Sequence, residues 1–420
     1  MIMAHASHAA ADVGEVIMDW AAKAQVYLNR LCIDYADRPT GSTSNQRAAG
    51  FFRETVSQFG FHTQTPAFGC FDWRTDGVDL SVEGIPFTAA ASPYSLGSAV
   101  SAPLTVIATV SELAARDLAE HIVLLTGEIA REPLMPKNFP FYNPEEHQQI
   151  IRLLEAKKPL ALITASQHCP QMAGALYPYP MFEDGDFDIP SIYMTAEEGE
   201  RLAAFAGSRV LLTSRAQRLP ARAWNVVAGK GALHRRIVFC AHIDAKGGTP
   251  GALDNASGIT TLLLLAELLA DYHGELGIEI VAINGEDYYA NCGELAFLDA
   301  NAGVFDQIVL GVNLDGIGDP HGTAAYSLYN CPPEMETVIN TTFSARPHIS
   351  AGDQWYQGDH MLFVMNQTPA LAFTSARAYE LMATVIHTAQ DTPDRIAPDQ
   401  LVAVAHALRD LITRLNDSSA

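Results

Sequence analysis

Beyond residue 221 the chain repeats a rhythm that narrows its possible folds. Four runs of nearly unbroken apolar character, "RIVFCA", "GIEIVAIN", "QIVLGVNL" and "TPALAF", are separated or followed by segments of helical spacing near 255–272, 291–302, 332–344 and 398–416. A strand that is apolar on both faces has to be covered on both faces, and helices between successive strands supply that cover while making the crossovers parallel. The expected fold class is α/β: three layers, helix/sheet/helix, around a mixed, mostly parallel central sheet.

Two other textures precede this region, and no internal repeat links them to it. Ile17, Trp20, Ala24, Tyr27 and Leu31 recur at helical spacing over 13–36, and a second helix carries Ala48, Phe51, Phe52, Val56 and Phe59 until Gly60 stops it. Between them "DRPTGSTSNQ" has the composition of a loop that ends in an N-cap. From about 70 to 216 the chain changes to short strands ("HIVLLTG", "LALITA", "SIYM", "RVLLT") broken by Pro-rich and aromatic loops. The expected division is therefore 1–70, helices that join the last region; 71–216, an inserted and mostly β domain; and 217–420, the regular α/β region.

Composition excludes several classes of function. The chain has 420 residues, 48% of them hydrophobic, enough for a large core. Its 26 basic and 48 acidic residues give a net charge of -22, a surface that repels nucleic acid and anionic lipid. At 18% charged residues it is an acidic globular chain and not a disordered acidic one. Neither a basic and apolar leader nor a membrane span is legible in "MIMAHASHAAADVGEVIMDW" or later, so the expected compartment is the cytoplasm. Cys32, Cys70, Cys169, Cys240, Cys292 and Cys331 lack the spacing of a disulfide framework or a CxxC metal site, and are expected to be mostly buried thiols.

Chemistry concentrates where the apolar runs end. His242 and Asp244 follow "IVFCA", Glu286 and Asp287 follow "EIVAING", and Asp315 closes "IVLGVNLD". In open α/β sheets functional groups gather beyond the carboxyl ends of the strands, so these three clusters should share one rim. Asp254, within "AHIDAKGGTPGALDNASG", lies at the start of the following helix, where glycines 247, 248 and 251 let the loop turn back to that rim. So many carboxylates around a histidine repel one another unless a cation sits among them. A nitrogen and carboxylate donor set without cysteine suits zinc, with cobalt or manganese as alternatives. His387, in "VIHTAQDTPD", offers one more imidazole and would complete two sites. Each cluster alone has an ordinary explanation as a solvated turn or a satisfied strand end, but one two-metal site accounts for all of them together. His273, His321, His348 and His406 have no acidic partner at a strand edge, whereas Asp359 and His360 in "YQGDHMLF" are candidates for orienting the site from behind.

With these residues in place, the segment from about 222 to 416 resembles the catalytic domain of the M28 family of zinc aminopeptidases. The likeness rests on "AHIDAKGGTPGALDNASG", "NGEDYY", "VNLDGIGD", "GDHMLF" and "IHTAQDTPD", in that order. "RPTGSTSNQRAAGFFRETVSQFGF" is similar to the N-terminal helices of that family, and "FDIPSIYMTAEEGERL" resembles part of the protease-associated insert that many members carry. The resemblance implies a zinc-exopeptidase-like fold and a two-zinc aminopeptidase acting on peptides. His242, bridging Asp254 and Asp315 would hold one zinc, and Asp254, Asp287 and His387 the other. Glu286 would be the general base, and Asp244 would accept a hydrogen bond from the far nitrogen of His242 and fix its tautomer. Relatives steady the oxyanion with a tyrosine, placed either just before the final histidine or shortly before the Asp-His pair. Ile386 removes the first option, leaving Tyr356 as the candidate for oxyanion or substrate contact, with Trp355 as the other. "NCGE" at 291–294 departs from the family's usual Gly-Ser pair. Two other readings stay open: a one-zinc glutaminyl cyclase of the same fold, and a binding protein that has lost catalysis.

Overall fold

The computed structural model describes residues 20–139, 141, 143–169 and 172–417. Ile17 of the first expected helix and all but the last residue of "MIMAHASHAAADVGEVIMDW" lie outside the described residues. The chain divides into two compact units, one made of 1–68, 223–288 and 292–420, the other of 69–222 with 289–291.

The first unit is built on an eight-stranded sheet. Its strands are β1 (His62–Gln64), β2 (Val226–Lys230), β3 (Arg236–His242), β4 (Gly277–Ile283), β5 (Ile308–Leu314), β6 (Ala324–Tyr329), β7 (Ile349–Ala351) and β8 (Ala370–Ser375), in the order β1-β2-β4-β3-β5-β8-β6-β7. The four central strands, β4, β3, β5 and β8, run parallel, while β2 and β6 flank them antiparallel. The mixed, mostly parallel sheet expected from the apolar runs is therefore present. From β3 the chain moves to one neighbour, β4, and then crosses to the other, β5. The order reverses at β3, and such a switch point leaves a crevice beyond the strand ends.

Helices cover both faces. Ile237, Phe239 and Ala241 of β3 point into the main core, whereas the alternate residues Val238 and Cys240 are buried on the opposite face. On the main-core face, helix Ser257–Leu268 is buried from Ser257 through Ala266. A helix apolar all round has to be sandwiched, and this one lies among β3, helix Thr43–Gln58 and the final helix Pro398–Asp417. Helix Thr43–Gln58 has its N-cap at Ser42, inside the "DRPTGSTSNQ" segment, whose last four residues are already helical; the Ser42 side chain accepts the Asn45 amide.

The second unit has its own eight-stranded sheet, with strands Ile122–Leu125, Ala161–Ser166 and Ser191–Thr195 among them. Val123 and Leu125 face one apolar cluster and Ile122 and Leu124 another, so its sheet is also buried on both sides. Helices Val110–Ala115, Glu145–Lys157 and Ala196–Ala203 accompany it, and strand Arg209–Trp224 is far longer than the "RVLLT" segment. None of the six cysteines is in a disulfide. Among the described residues no helix is long and apolar enough to cross a membrane.

On the face of the first sheet opposite the main core, packing leaves one position with no room for a side chain. A Cβ placed on Gly311 of β5 would lie 2.2 Å from the ring of Phe363, which meets Phe297 edge to face. Gly311→Ala is therefore expected to cost about 1–3 kcal/mol by overpacking, and Phe363→Leu in the same chain to return part of that loss. Calorimetric Tm values that add up independently in the double variant would show that the two residues do not share the space.

Candidate metal centre

The four parallel strands end on one rim, and the loops beyond them carry the acidic and histidine residues. His242 is the last residue of β3, Asp287 lies just past β4, and Asp315 directly follows β5. Asp254 sits in the π-turn Ala252–Ala256 that leads into helix Ser257–Leu268, and its peptide bond to Asn255 is cis. His387 belongs to the loop between helix Ala378–Thr384 and the final helix, with a left-handed backbone (φ 61°) that is uncommon away from glycine.

Asp254 is the centre of this group. Its Oδ1 lies 2.9 Å from His242 Nε2 and its Oδ2 3.0 Å from His387 Nε2, so each oxygen faces a different imidazole. His242 Nε2 is also 3.5 Å from Asp315 Oδ1, and His387 Nε2 is 3.0 Å from Asp287 Oδ1. Two donor sets result: His242, Asp254 and Asp315, and Asp254, Asp287 and His387, each with its ligand atoms within 4.8 Å of one another. Despite these approaches, neither ring nitrogen of His242 completes an aligned hydrogen bond. Atoms that converge without pairing are arranged around a point between them. Two imidazoles, three carboxylates and no thiolate make a donor set that fits a pair of zinc ions sharing Asp254.

Asp244 faces the far nitrogen of His242 and also holds the neighbouring loop. Its Oδ1 is 3.8 Å from His242 Nδ1, too far for a hydrogen bond. Instead it accepts the Gly285 amide at 2.8 Å, the Asp287 amide at 3.1 Å and the Thr40 hydroxyl at 3.1 Å. It thereby ties the loop after β3 to both sides of Glu286, which is partly buried. Asp287 Oδ2 in turn accepts the Lys246 amide, leaving its Oδ1 for His387.

The "GDH" segment forms a wall. His360 is buried, its Nε2 is 2.9 Å from the Trp355 carbonyl, and its ring packs against both Trp355 and Tyr329. Tyr329 brackets the same residue, its hydroxyl donating to the Trp355 carbonyl and accepting the Trp355 amide. A Cβ on Gly358 would meet the six-membered ring of Trp355 at 2.9 Å and Asp315 Oδ2 at 3.4 Å, so the indole stands next to a member of the first donor set. Tyr356 is 58% exposed and its hydroxyl donates to Gln354 Oε1. Asp359 is buried with neither carboxylate oxygen in an aligned hydrogen bond, and Glu294 of the divergent "NCGE" segment is buried as well.

With protons as the available cations, the charges partition accordingly. Burial alone would lower both histidines, but Asp244, Asp254 and Asp315 hold His242 well above its ordinary value. Asp287 and Asp254 likewise carry His387 up to about 10. Asp254 shows the opposite balance: burial raises it, and the two imidazoles more than offset this, holding it far below the carboxylate range. Burial, reinforced by Asp287, Asp315 and Asp359, pushes Glu286 well above the usual value against the pull of His242. Asp359 is raised by burial to about 7, and His360 is lowered by burial to about 4, so it packs as a neutral ring.

Residues 225–412 match peptidase family M28. Among solved structures, the aminopeptidase from Aneurinibacillus sp. strain AM-1 is 20% identical with a TM-score of 0.72, over 93% of each chain. A zinc aminopeptidase from Bacillus subtilis is 18% identical with a TM-score of 0.72, over 94% of this chain and 95% of that one. The glutaminyl cyclase of Porphyromonas gingivalis is 14% identical with a TM-score of 0.51, over 94% of this chain and 98% of that one. At these identities the likeness is one of fold. No curated protein sequence matches.

The protonated imidazoles set a pH dependence for the metal-free chain. A histidine whose folded pKa is raised from 6.5 to about 10 contributes stability that is complete below 6.5 and is lost as pH rises through about 10. The Tm of chelator-treated protein is expected to fall across that window, and zinc, which binds neutral imidazole, to remove the fall. A chelated protein whose Tm is flat from pH 6.5 to 10 would count against the histidine–carboxylate cluster.

Proposed function

We propose that this chain, a metallopeptidase whose residues 225–412 belong to peptidase family M28, is an aminopeptidase that holds two zinc ions and removes the first residue of peptides. The observation that carries the reading is Asp254, which turns one carboxylate oxygen to each of two histidines, with Asp315 and Asp287 completing the two donor sets. His242, Asp254 and Asp315 would hold one ion, and Asp254, Asp287 and His387 the other. Zinc, when bound, supplies Lewis acidity that polarises the scissile carbonyl and acidifies the attacking water.

The remaining work falls to the chain's own groups. Glu286 takes the proton from the attacking water and delivers it to the leaving amine as the C–N bond breaks. Its proton affinity is raised, first by burial, which is the direction needed by a carboxylate that must accept a proton and hand it on. Asp244, by accepting the Gly285 and Asp287 amides on either side, keeps Glu286 from turning away. The dense negative charge of the rim favours a substrate with a free, positively charged amine, which is why removal of the N-terminal residue is the better reading than attack within a chain. Trp355, standing beside Asp315, serves as a wall for the substrate. Exposed Tyr356, engaged with Gln354, fits a contact further along the peptide better than an oxyanion donor.

Two experiments test this. Glu286→Gln keeps size and hydrogen bonding but removes the proton acceptor, and should lower kcat by roughly 10²–10⁴ with zinc content unchanged. Asp254→Asn should lose metal and activity together, because a neutral amide bridges two cations poorly. Near-normal turnover in Glu286→Gln would overturn its role as base, and loss of zinc would make it a ligand instead. Substrates supply the second test: N-acetylated peptides should be cleaved far more slowly than free ones, and equal rates would remove the amine-anchoring argument. One zinc equivalent per chain, unchanged by excess metal, would favour glutaminyl cyclase chemistry over peptidase chemistry.

A further inference from the structure

Asp254 can serve two cations only if the turn that carries it is held still, and the residues that hold it come from opposite ends of the sequence. Asp391, fully buried, accepts the Leu253 amide on Oδ1 at 2.7 Å and the Asp254 amide on Oδ2 at 3.1 Å. Its own carbonyl accepts the Ala252 amide. Three successive amides of the turn therefore end on one residue. On the other side, Arg38 is 1% exposed and donates to four carbonyls: Leu31, Ile243, Pro250 and Gly251. Three of these belong to the loop between His242 and Asp254, and the Arg38 carbonyl accepts the Ala245 amide of the same loop. At Gly251 a Cβ would lie 2.5 Å from the Ala245 Cβ, 2.7 Å from the Asp254 carbonyl oxygen and 3.0 Å from Arg38 Nη2, so the loop is drawn too tightly for any side chain there.

We propose that Arg38 and Asp391 are positioning residues for the metal pair, a clamp that gathers the loop from Ile243 to Asp254 and fixes the direction of the shared carboxylate. Burying a guanidinium and a carboxylate is costly, and a fold that needed only to fill this space would do so with apolar side chains. Carbonyl-only recognition by the planar fork of Arg38 and amide-only recognition by Asp391 give directional hold on the backbone, which apolar packing does not. Because Asp254 belongs to both donor sets, release of the clamp weakens both ions together. The N-terminal segment thus acts on the metal centre through Arg38 without supplying a ligand.

This assignment rests on the two-zinc reading, and its test reads metal binding directly. Full-length parent, Asp391→Asn and Arg38→Lys are stripped of metal, checked for folding by circular dichroism, and titrated with zinc against a chromophoric chelator and with cobalt by visible absorption. Asp391→Asn turns an amide donor toward one of the turn's own N–H groups, and Arg38→Lys keeps the charge but loses the fork. Both are expected to bind each of the two ions about 10–100-fold more weakly, as loss of a supporting partner of a metal ligand does, with an altered cobalt spectrum. Phe363→Leu, a destabilising change on the opposite face of the sheet, is expected to lower Tm while leaving both affinities and the spectrum at parent values. Parent-like affinities in both clamp variants, beside a parent that takes up two ions, would overturn this assignment alone. A parent that takes up fewer than two would overturn the two-zinc reading and the clamp with it. If neither variant folds, the two residues determine the fold rather than the site, and the proposal fails.

Discussion

The structure depends on a single carboxylate that faces two imidazoles at once. Asp254 sits 2.9 Å from one histidine and 3.0 Å from the other, in a buried setting that by itself disfavours a charged group. Such a group is tolerable only where opposing charge is close and fixed, so the elements that deliver it are constrained together. His242 has to end β3, Asp315 has to follow β5 beside it, and Asp287 has to follow β4 on the other side. Parallel strands in register achieve this without further cost, because their carboxyl ends fall on one edge. The switch in strand order at β3 then opens space where the loops can converge.

What was legible in the sequence was whatever the strand periodicity carries. Near-continuous apolar runs gave β3, β4, β5 and β8, and polar residues at their ends gave the acidic rim, because a charged residue that ends a buried strand has few places to go. Strands β6 and β7 were not foreseen. "AAYSLY" is short and mixed, and it joins the sheet antiparallel through pairing with β8, a tertiary choice that leaves little local pattern. In the second unit the long strand Ala67–Val82 escaped for a related reason: its residues are mostly exposed or half-buried, without the apolar stripe that marks a strand. Glu294 was equally opaque, since an acid in the first turn of a helix looks like any surface residue, yet it is buried.

Arg38 and Asp391 were the least legible residues of all, and the physical reason is general. Their partners are backbone carbonyls and amides, which every residue has, so no side-chain spacing announces the contact. In "DRPTGSTSNQ" the arginine passes for a solvated loop residue, and in "HTAQDTPD" the aspartate passes for a turn former. Donor sets can be read from composition at strand ends, whereas the shell that holds them in place is written mostly in backbone geometry.

Asp244 shows how far that shell can shift a residue's role. A carboxylate two positions after a strand-end histidine suggests a bond to the imidazole, yet at 3.8 Å Asp244 acts on His242 through charge, and its hydrogen bonds go to Gly285, Asp287 and Thr40. Asp244 fixes the amides on both sides of Glu286, and Asp287 is fixed again through Lys246. Adjacent residues leaving a strand project in different directions, so with the backbone pinned at 285 and 287 the two acids cannot exchange places. One carboxylate is turned to His387, and the other is left with the high proton affinity that burial and its acidic neighbours impose. Where the loop's amides are tied down thus decides which way each acid of the doublet faces, and Asp244 acts on that loop as well as on the charge of His242.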